Sequence, residues 1–196
     1  MYYHASNIKN LKVLKPHISS HGKSWVYFST KRENILVYLS NAVEKYIKDK
    51  YNRPLKKYEK WASYGITSDG RVRIEEYYPN ATKETFEGVS AYIYSVNHLE
   101  KAQPLKGIKD VFVTEEEINI DGCEFVQDAY AEILKAEKEG KIVIERFEDI
   151  SEKKRNWIEK TISNEYKNSD NDDYKEFLLD KFNWLKDIEN HCCWKE

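Results

Sequence analysis

The chain is poor in the residues that build covalent or metal-bound frameworks. Three of its 196 residues are cysteines, and two of these, Cys192 and Cys193, are adjacent. Neighbouring cysteines bridge only with local distortion of the backbone, so we expect reduced thiols and a cytoplasmic protein. A structural zinc site takes four ligands, usually in two separated pairs. His191 with the two cysteines has no second pair to join, and we expect no metal.

Glycine is also scarce, with seven residues in the whole chain. The sequence contains no G-x-G-x-x-G, no G-x-x-x-x-G-K-[ST], no H-E-x-x-H and no G-x-S-x-G pattern. A glycine-lined phosphate cradle is therefore not expected. Any nucleotide has to be held by side chains and by the edges of strands.

Neither sign of charge dominates, because 32 Lys and Arg oppose 34 Asp and Glu for a net charge of −2. This balance predicts no general nucleic-acid binding. No apolar run approaches the roughly 18 residues of a membrane helix, so we expect no membrane association. The first residues lack a signal-peptide pattern, so we do not expect secretion by a signal peptide. The 15 tyrosines and five tryptophans supply enough apolar surface for a real core.

Periodicity predicts strands and helices in alternation over the first 150 residues. Residues 25–28 form a compact aromatic strand, and Thr30 with Glu33 has the spacing of a capping box. Behind them the apolar positions predict one helix from about Lys31 to Lys48. Its buried residues are expected to be Ile35, Leu39, Val43 and Ile47.

Further along, Ser68-Asp69-Gly70 is typical of a hairpin turn between two strands. Strands are also predicted at residues 91–96, 110–114, 118–120 and 142–144. A helix over residues 127–139 should end at Gly140, which suits the residue that follows a helix C-terminus.

From Ser151 the sequence becomes strongly charged and helical in period. We expect two helices joined by a linker at residues 168–173, with an apolar stripe of Trp157, Phe177, Phe182 and Leu185. A short charged helix is marginal unless this stripe is covered. The cover is either the preceding body or a second copy of the chain. The expected domains are residues 1–150 and a C-terminal helical extension, 151–196.

His4 lies in an aromatic first strand, and Tyr27 lies in the aromatic strand that precedes the predicted helix. Such residues are either ordinary core or two ends of a binding site. If they form a site, we expect them on neighbouring strands with their side chains within reach of one cleft.

The order of short motifs narrows these alternatives. Tyr3-His4-Ala5-Ser6 is followed by Leu11-x-x-Leu14-x-Pro16 and by Val26-Tyr27-Phe28-Ser29 leading into a helix. This order resembles the ADP-ribosyltransferase fold of the His-Tyr-Glu/Asp type, and is closest in pattern to the rifampin ADP-ribosyltransferases. The later stretches YIYSV, VFVTEEEINIDG and LKAEKEGKIVIE extend the resemblance, which loosely covers residues 2–145.

The resemblance implies an α+β fold with a mixed or antiparallel split sheet and flanking helices, and the C-terminal helical hairpin predicted above lies outside it. It implies NAD as substrate, cleavage of the nicotinamide–ribose bond and transfer of ADP-ribose to an acceptor. By resemblance His4 binds a ribose hydroxyl, the backbone at Ala5 meets the nicotinamide amide, and Tyr27 stacks on its ring. Ser6 and Ser29 complete the implied NAD-binding set. Ala5 departs from the family, which has glycine there.

The acidic third member of the family pattern has two candidates, Glu100 after the strand YIYSV and Glu124 in CEFV. Order along the chain favours Glu100 slightly. The alternative function is a non-catalytic nucleotide-binding or protein-interaction module on the same fold, with the C-terminal helices binding a protein partner or a second copy. RNA 2′-phosphotransferase shares the fold, but the near-neutral charge argues against it.

Overall fold

A computed structural model describes residues 1–18, 22–61 and 63–187. Its strands are β1 (Tyr2–Ser6), β2 (Val13–Leu14), β3 (His17–Ile18), β4 (Ser24–Ser29), β5 (Tyr64–Ile66), β6 (Val72–Glu75), β7 (Ala91–Val96), β8 (Gln103–Pro104), β9 (Val111–Thr114), β10 (Ile118–Asn119), β11 (Gly122–Val126) and β12 (Ile142–Glu145). Its α-helices are α1 (Ala42–Tyr51), α2 (Ala81–Phe86), α3 (Ala129–Lys138), α4 (Glu152–Asn168) and α5 (Asp172–Lys181), with 3₁₀ helices at Arg32–Tyr38 and Phe147–Asp149. Helices combined with antiparallel sheets confirm the α+β class.

The largest sheet has seven strands in the order β11-β7-β1-β4-β9-β8, with β3 also paired to β4. A three-stranded sheet has the order β12-β6-β5, and β10 pairs with β2. None of the described helices is long and apolar enough to cross a bilayer. The prediction on the segment His191-Cys192-Cys193 falls outside the described residues.

The chain divides into two compact units, and the first comprises residues 1–40, 64–74 and 86–144. Alternate residues of its large sheet point to opposite faces, so each face builds its own core. One cluster contains Ile93 of β7 together with Ile35 and Leu36 of the 3₁₀ helix. The other contains Phe28 of β4 and Tyr94 of β7. The sheet therefore lies between two apolar layers.

The predicted single helix over residues 31–48 is wrong. The segment forms the 3₁₀ helix Arg32–Tyr38, breaks, and resumes as α1. Neither Thr30 nor Glu33 caps it. The side chain of Asn41 caps α1 by accepting a hydrogen bond from the Val43 N–H at 3.2 Å. The break lets one apolar run serve two cores, because its residues no longer share a single helical face. All four predicted core residues are nevertheless buried: Ile35, Leu39, Val43 and Ile47.

Two other local predictions are confirmed. β5 and β6 form an antiparallel hairpin in which Ile66 pairs with Val72. After α3, Gly140 adopts a φ of +71°, and its N–H donates to the Glu137 carbonyl at 2.9 Å. The Lys141 N–H donates to the Ala136 carbonyl at the same distance. These paired bonds satisfy the last carbonyls of the helix, and glycine takes the left-handed position without a Cβ penalty.

The second unit comprises residues 41–63, 75–85 and 145–196 as far as they are described. It therefore holds the predicted C-terminal extension together with α1 and the segment 75–85. The two predicted helices are confirmed as α4 and α5. Of the four residues predicted to form the apolar stripe, three are buried as expected: Phe177, Phe182 and Leu185. Trp157 is 51% exposed and does not belong to the buried set.

Aromatic rings and one buried ion pair hold this unit together. Phe177 is 1% exposed and lies 5.6 Å from the Tyr46 ring and 5.7 Å from the Trp61 ring. The Asp173 carboxylate is 2% exposed and accepts bonds from the Arg53 guanidinium at 2.6 and 2.9 Å and from the Lys56 N–H at 2.9 Å. The guanidinium bond is the main cause that lowers the pKa of Asp173 to about 2.

Candidate functional site

The seven-stranded sheet is weakly joined at its centre, between β1 and β4. β1 pairs with β7 along all five of its residues, and β4 pairs with β9 from Val26 to Ser29. In the described structure β1 and β4 are in register at a single pair, Tyr3 with Ser29. Beyond that pair the residues His4 to Ser6 face β4 without ladder pairing. The sheet thus consists of two halves that meet at one point and leave a gap beyond it.

The His4 side chain reaches across this gap. Its Nδ1 lies 2.9 Å from the Tyr27 carbonyl oxygen, and since a carbonyl only accepts, Nδ1 carries the proton and donates. Burial is the main cause that lowers the pKa of His4, opposed by this hydrogen bond and reinforced by the nearby His17. The ring is therefore neutral at neutral pH. Its Nε2 then presents a lone pair, which suits a hydroxyl donor on a ligand.

The hydrogen bond also reveals where the backbone groups of both strands point. The Tyr27 carbonyl is directed at β1, and carbonyl directions repeat every second residue along a strand, so Ser29 points the same way. Tyr3 and Ser29 then form a hydrogen-bonded pair, and the backbone N–H and C=O of Ala5 are directed at β4 as well. The gap is lined by strand backbone on both sides.

His4 and Tyr27 lie on neighbouring strands, as predicted, but on opposite faces of the sheet. The pairing of Tyr3 with Ser29 puts Tyr27 on the face of Tyr3 and Ala5. His4 is paired with Tyr94 and lies 5.9 Å from the Phe28 ring, on the other face. The prediction that both side chains lie within reach of one cleft is therefore wrong, because a cleft on one face of the sheet meets only one of them. Contact with both side chains therefore needs a ligand that reaches both faces of the sheet.

Tyr27 has aromatic neighbours on its own face. Its ring is 5.9 Å from that of Trp25 in an edge-to-face arrangement. Tyr38, at the end of the 3₁₀ helix, is hydrogen-bonded to Tyr64 and interacts electrostatically with Tyr27. Burial around its hydroxyl raises the pKa of Tyr38, although 47% of the residue is exposed. No pattern in the sequence singles out Tyr38, because its place in an apolar run is typical of core.

The remaining predicted NAD-binding residues have local structural roles as well. The Ala5 methyl group packs against the apolar cluster around Ile93 and Ile35, so the extra Cβ relative to glycine lies in the core. The Ser6 hydroxyl accepts a bond from the Ile8 N–H at 3.1 Å. The buried Ser29 hydroxyl accepts one from the Lys31 N–H at 3.1 Å. Each serine still has a hydroxyl proton to donate.

Glu124 lies on the same face of the sheet as Tyr27. It is paired with Ile93, which is paired with Ala5, so two strand spacings of about 4.8 Å separate Glu124 from β1. Its carboxylate is bound by the Arg32 guanidinium through two bonds, one of 2.9 Å from Nε. Arg32 also contacts Glu132 at 3.1 Å. The hydrogen bonds from Arg32 are the main cause that lowers the pKa of Glu124, which is ionised at neutral pH.

Glu100 lies elsewhere. It is exposed in the loop after β7, beyond Val96, and Val96 is paired with Tyr2 at the start of β1. The gap opens toward the other end of β1, at Ser6. Of the two acidic candidates, Glu124 is thus the one on the side of the gap and on the face of Tyr27.

This chain was compared with protein-family models, with curated proteins and with solved structures, and none of the three comparisons gives a match.

Proposed function

We propose that this protein binds NAD as a substrate and transfers its ADP-ribosyl group to an acceptor. In this reaction the bond between the ribose C1′ and the nicotinamide nitrogen breaks, and nicotinamide leaves with the bonding electron pair. A lone pair of the acceptor forms the new bond to C1′, and the acceptor's proton passes to a base. The sugar carries positive charge at the transition state, as in glycoside hydrolysis.

The observation that carries the proposal is the gap between β1 and β4, bridged by a neutral histidine. A carboxamide can pair with the N–H and C=O of an unpaired strand edge much as an added strand does. The Ala5 backbone is directed into the gap and suits this role. Nε2 of His4 accepts a hydrogen bond, and a ribose hydroxyl is a matching donor. NAD carries both groups, the carboxamide on its nicotinamide ring and the hydroxyls on its riboses.

The face of Tyr27 supplies the other features that the reaction needs. The Tyr27 ring lies on that face beside Trp25, 5.9 Å away, and suits stacking on a flat ring, which contributes about 1 kcal/mol beyond burial. Glu124 is ionised on that face and can stabilise a cationic sugar or accept the proton of the acceptor. We accordingly propose that the sheet is a split sheet of the ADP-ribosyltransferase type. The cytoplasmic location expected from the sequence stays a prediction.

Calorimetric titration with NAD tests binding, and chromatographic detection of nicotinamide release tests cleavage. His4→Ala should abolish measurable NAD binding, because it removes the acceptor and the bridge across the gap. His17→Ala is the matched control, since His17 is an exposed histidine on β3. Glu124→Gln should retain NAD binding and lose nicotinamide release by at least tenfold, whereas Glu100→Gln should change neither. The proposal fails if the unaltered chain does not bind NAD.

One observation favours the second candidate, a nucleotide-binding module without catalysis. Arg32 engages both oxygens of the Glu124 carboxylate and so competes with a cationic sugar for its charge. In that case NAD binds in a His4-dependent manner, and no nicotinamide is released above the rate without protein. Arg32→Gln separates the two candidates further. An enzyme restrained by this ion pair should gain activity in the variant, and a binding module should not.

A further inference from the structure

The outer surface of α4 carries a row of cations around one exposed tryptophan. α4 buries Ile158 and Ile162. At 3.6 residues per turn, a sector of roughly 80° on the opposite side of the helix collects five residues. All five are exposed: Lys153, Trp157, Lys160, Asn164 and Lys167. We call this surface the α4 stripe.

The positive charge of the α4 stripe is not neutralised within the described structure. Lys153, Lys160 and Lys167 form no ion pair with any described residue. The three carboxylates of α4, on Glu152, Glu159 and Glu165, lie outside the sector by helical position. The helix's other cations are already engaged. Lys154 binds two carboxylates of its own unit, and the Arg155 guanidinium donates to the Phe147 carbonyl at 3.0 Å.

Trp157 is held in place yet remains accessible. Its ring contacts Tyr77 edge-to-face at 5.9 Å, while 51% of the residue is exposed. The helix rises 1.5 Å per residue, so successive stripe lysines are about 10.5 Å apart and the row spans about 21 Å. An aromatic ring thus lies within a row of ammonium groups. Asn164 on the stripe, with Asn156 and Asn168 beside it, adds amides that can both donate and accept.

The chemistry of the α4 stripe identifies its ligand. A membrane-surface helix turns a broad apolar face outward, whereas the apolar residues of α4 face inward and one tryptophan is left outside. Proteins that bind single-stranded nucleic acid combine cations that follow the phosphates with aromatic rings on which bases stack. We propose that the α4 stripe binds single-stranded nucleic acid, with the three lysines on phosphates and Trp157 stacked on a base.

The net charge of −2 for the whole chain does not conflict with this proposal, because that value is an average over the entire surface. The α4 stripe is a local arrangement that appears only when the helix forms and its other cations find partners. The proposal is independent of NAD. It makes no use of the gap between β1 and β4.

Fluorescence anisotropy of a labelled 15-nucleotide oligouridylate with the full chain tests the proposal. Binding should weaken as salt rises, with a log–log slope of about −2 for three phosphate contacts on a single strand. The triple variant Lys153→Gln, Lys160→Gln, Lys167→Gln should bind at least tenfold more weakly and lose most of that slope. Glutamine and lysine have similar helix propensities, so α4 should remain intact, which circular dichroism can verify.

Matched controls separate the α4 stripe from diffuse attraction. Lys9→Gln, Lys12→Gln, Lys106→Gln removes the same charge from exposed positions and should leave the affinity unchanged within about twofold. Trp157→Ala should weaken binding about fivefold or more, whereas Tyr58→Ala, which removes a ring that is 71% exposed, should not. No binding of the oligonucleotide at 50 mM salt overturns the proposal. An equal loss of oligonucleotide affinity in the two triple variants overturns it as well. So does binding of anionic vesicles that is as tight as binding of the oligonucleotide and is unaffected by Trp157→Ala.

Discussion

The two units of the chain are stabilised in different ways. The first is organised by backbone pairing, with a seven-stranded sheet between two apolar layers. The second is organised by side chains, with rings gathered around Phe177 and a buried carboxylate held by Arg53. A sheet fixes backbone donors and acceptors in space, so an interruption in its pairing exposes ready-made ligand contacts. A helical unit presents whatever its outward side chains carry. The candidate site and the α4 stripe illustrate these two cases.

The largest effect is expected from removing the central ring of the second unit. Phe177→Ala should reduce the free energy of unfolding by about 4 kcal/mol, because it leaves a cavity among packed rings. Denaturant titration followed by far-UV circular dichroism measures the loss. Tyr58→Ala serves as the control and should cost less than about 0.5 kcal/mol, as an exposed position does. Similar losses in both variants would contradict the aromatic core described here.

A smaller loss is expected from a buried amide in the first unit. The Asn34 side chain donates to the Gly70 carbonyl at 2.8 Å and accepts from the Val72 N–H at 3.1 Å. Asn34→Ala leaves both backbone groups without these bonds and should cost about 2 kcal/mol. Asn7→Ala, at an exposed position, should change the unfolding free energy little. A neutral Asn34→Ala would mean that the hairpin β5–β6 is not anchored through this amide.

The buried ion pair gives the second unit a dependence on acid. The pKa of Asp173 is about 2 in the folded chain against an ordinary value of 3.8. The carboxylate therefore contributes stability that is fully present above pH 3.8 and is lost as the pH falls toward 2. Asp173→Asn should flatten the unfolding free energy over that range. Arg53→Met should move the loss to higher pH, and an unchanged acid profile in both variants would argue against the pair.

The corrected helix boundary predicts a contrast between two caps. Asn41→Ala should cost about 1 kcal/mol, because the Val43 N–H at the start of α1 loses its acceptor. Thr30→Ala should cost close to nothing, since Thr30 is exposed and its side chain caps no helix. Thermal unfolding of the two variants side by side measures the difference. A larger loss for Thr30→Ala would restore the single helix that the sequence predicts.

The smallest effect is expected at the gap itself. Burial lowers the pKa of His4 below its ordinary 6.5, so the unfolded chain takes up this proton at a higher pH than the folded chain. The stability that the neutral ring contributes is present above pH 6.5 and is lost as the pH falls through the folded pKa. NMR titration of the imidazole should show the lowered value. His4→Gln should remove this part of the pH dependence, whereas His17→Gln, which removes only the smaller effect of a nearby imidazole, should leave most of it.

Much of the local structure could be predicted from the sequence alone. Strands β4, β7 and β9, the hairpin at Gly70 and the helix stop at Gly140 all follow from patterns that involve neighbouring residues. The structure of residues 31–48 could not be predicted correctly. Their apolar positions are compatible with one helix that buries a single face, and equally with two shorter helices that pack into separate cores. The choice between them depends on sheet residues far away in sequence, such as Ile93 and Val72.

For the candidate site as well, some features could be predicted from the sequence and others depended on the tertiary structure. The sequence by itself determined that His4 and Tyr27 lie in strands, that Ile35 and Val43 are buried, and that the charged C-terminal region is helical, because period and propensity act over a few residues. Only the tertiary structure decided that β1 and β4 meet at one pair, that His4 and Tyr27 take opposite faces, and that Tyr38 and Glu124 lie on the face of Tyr27. Register and face depend on which strands become neighbours, and that pairing is determined by contacts between residues distant along the chain.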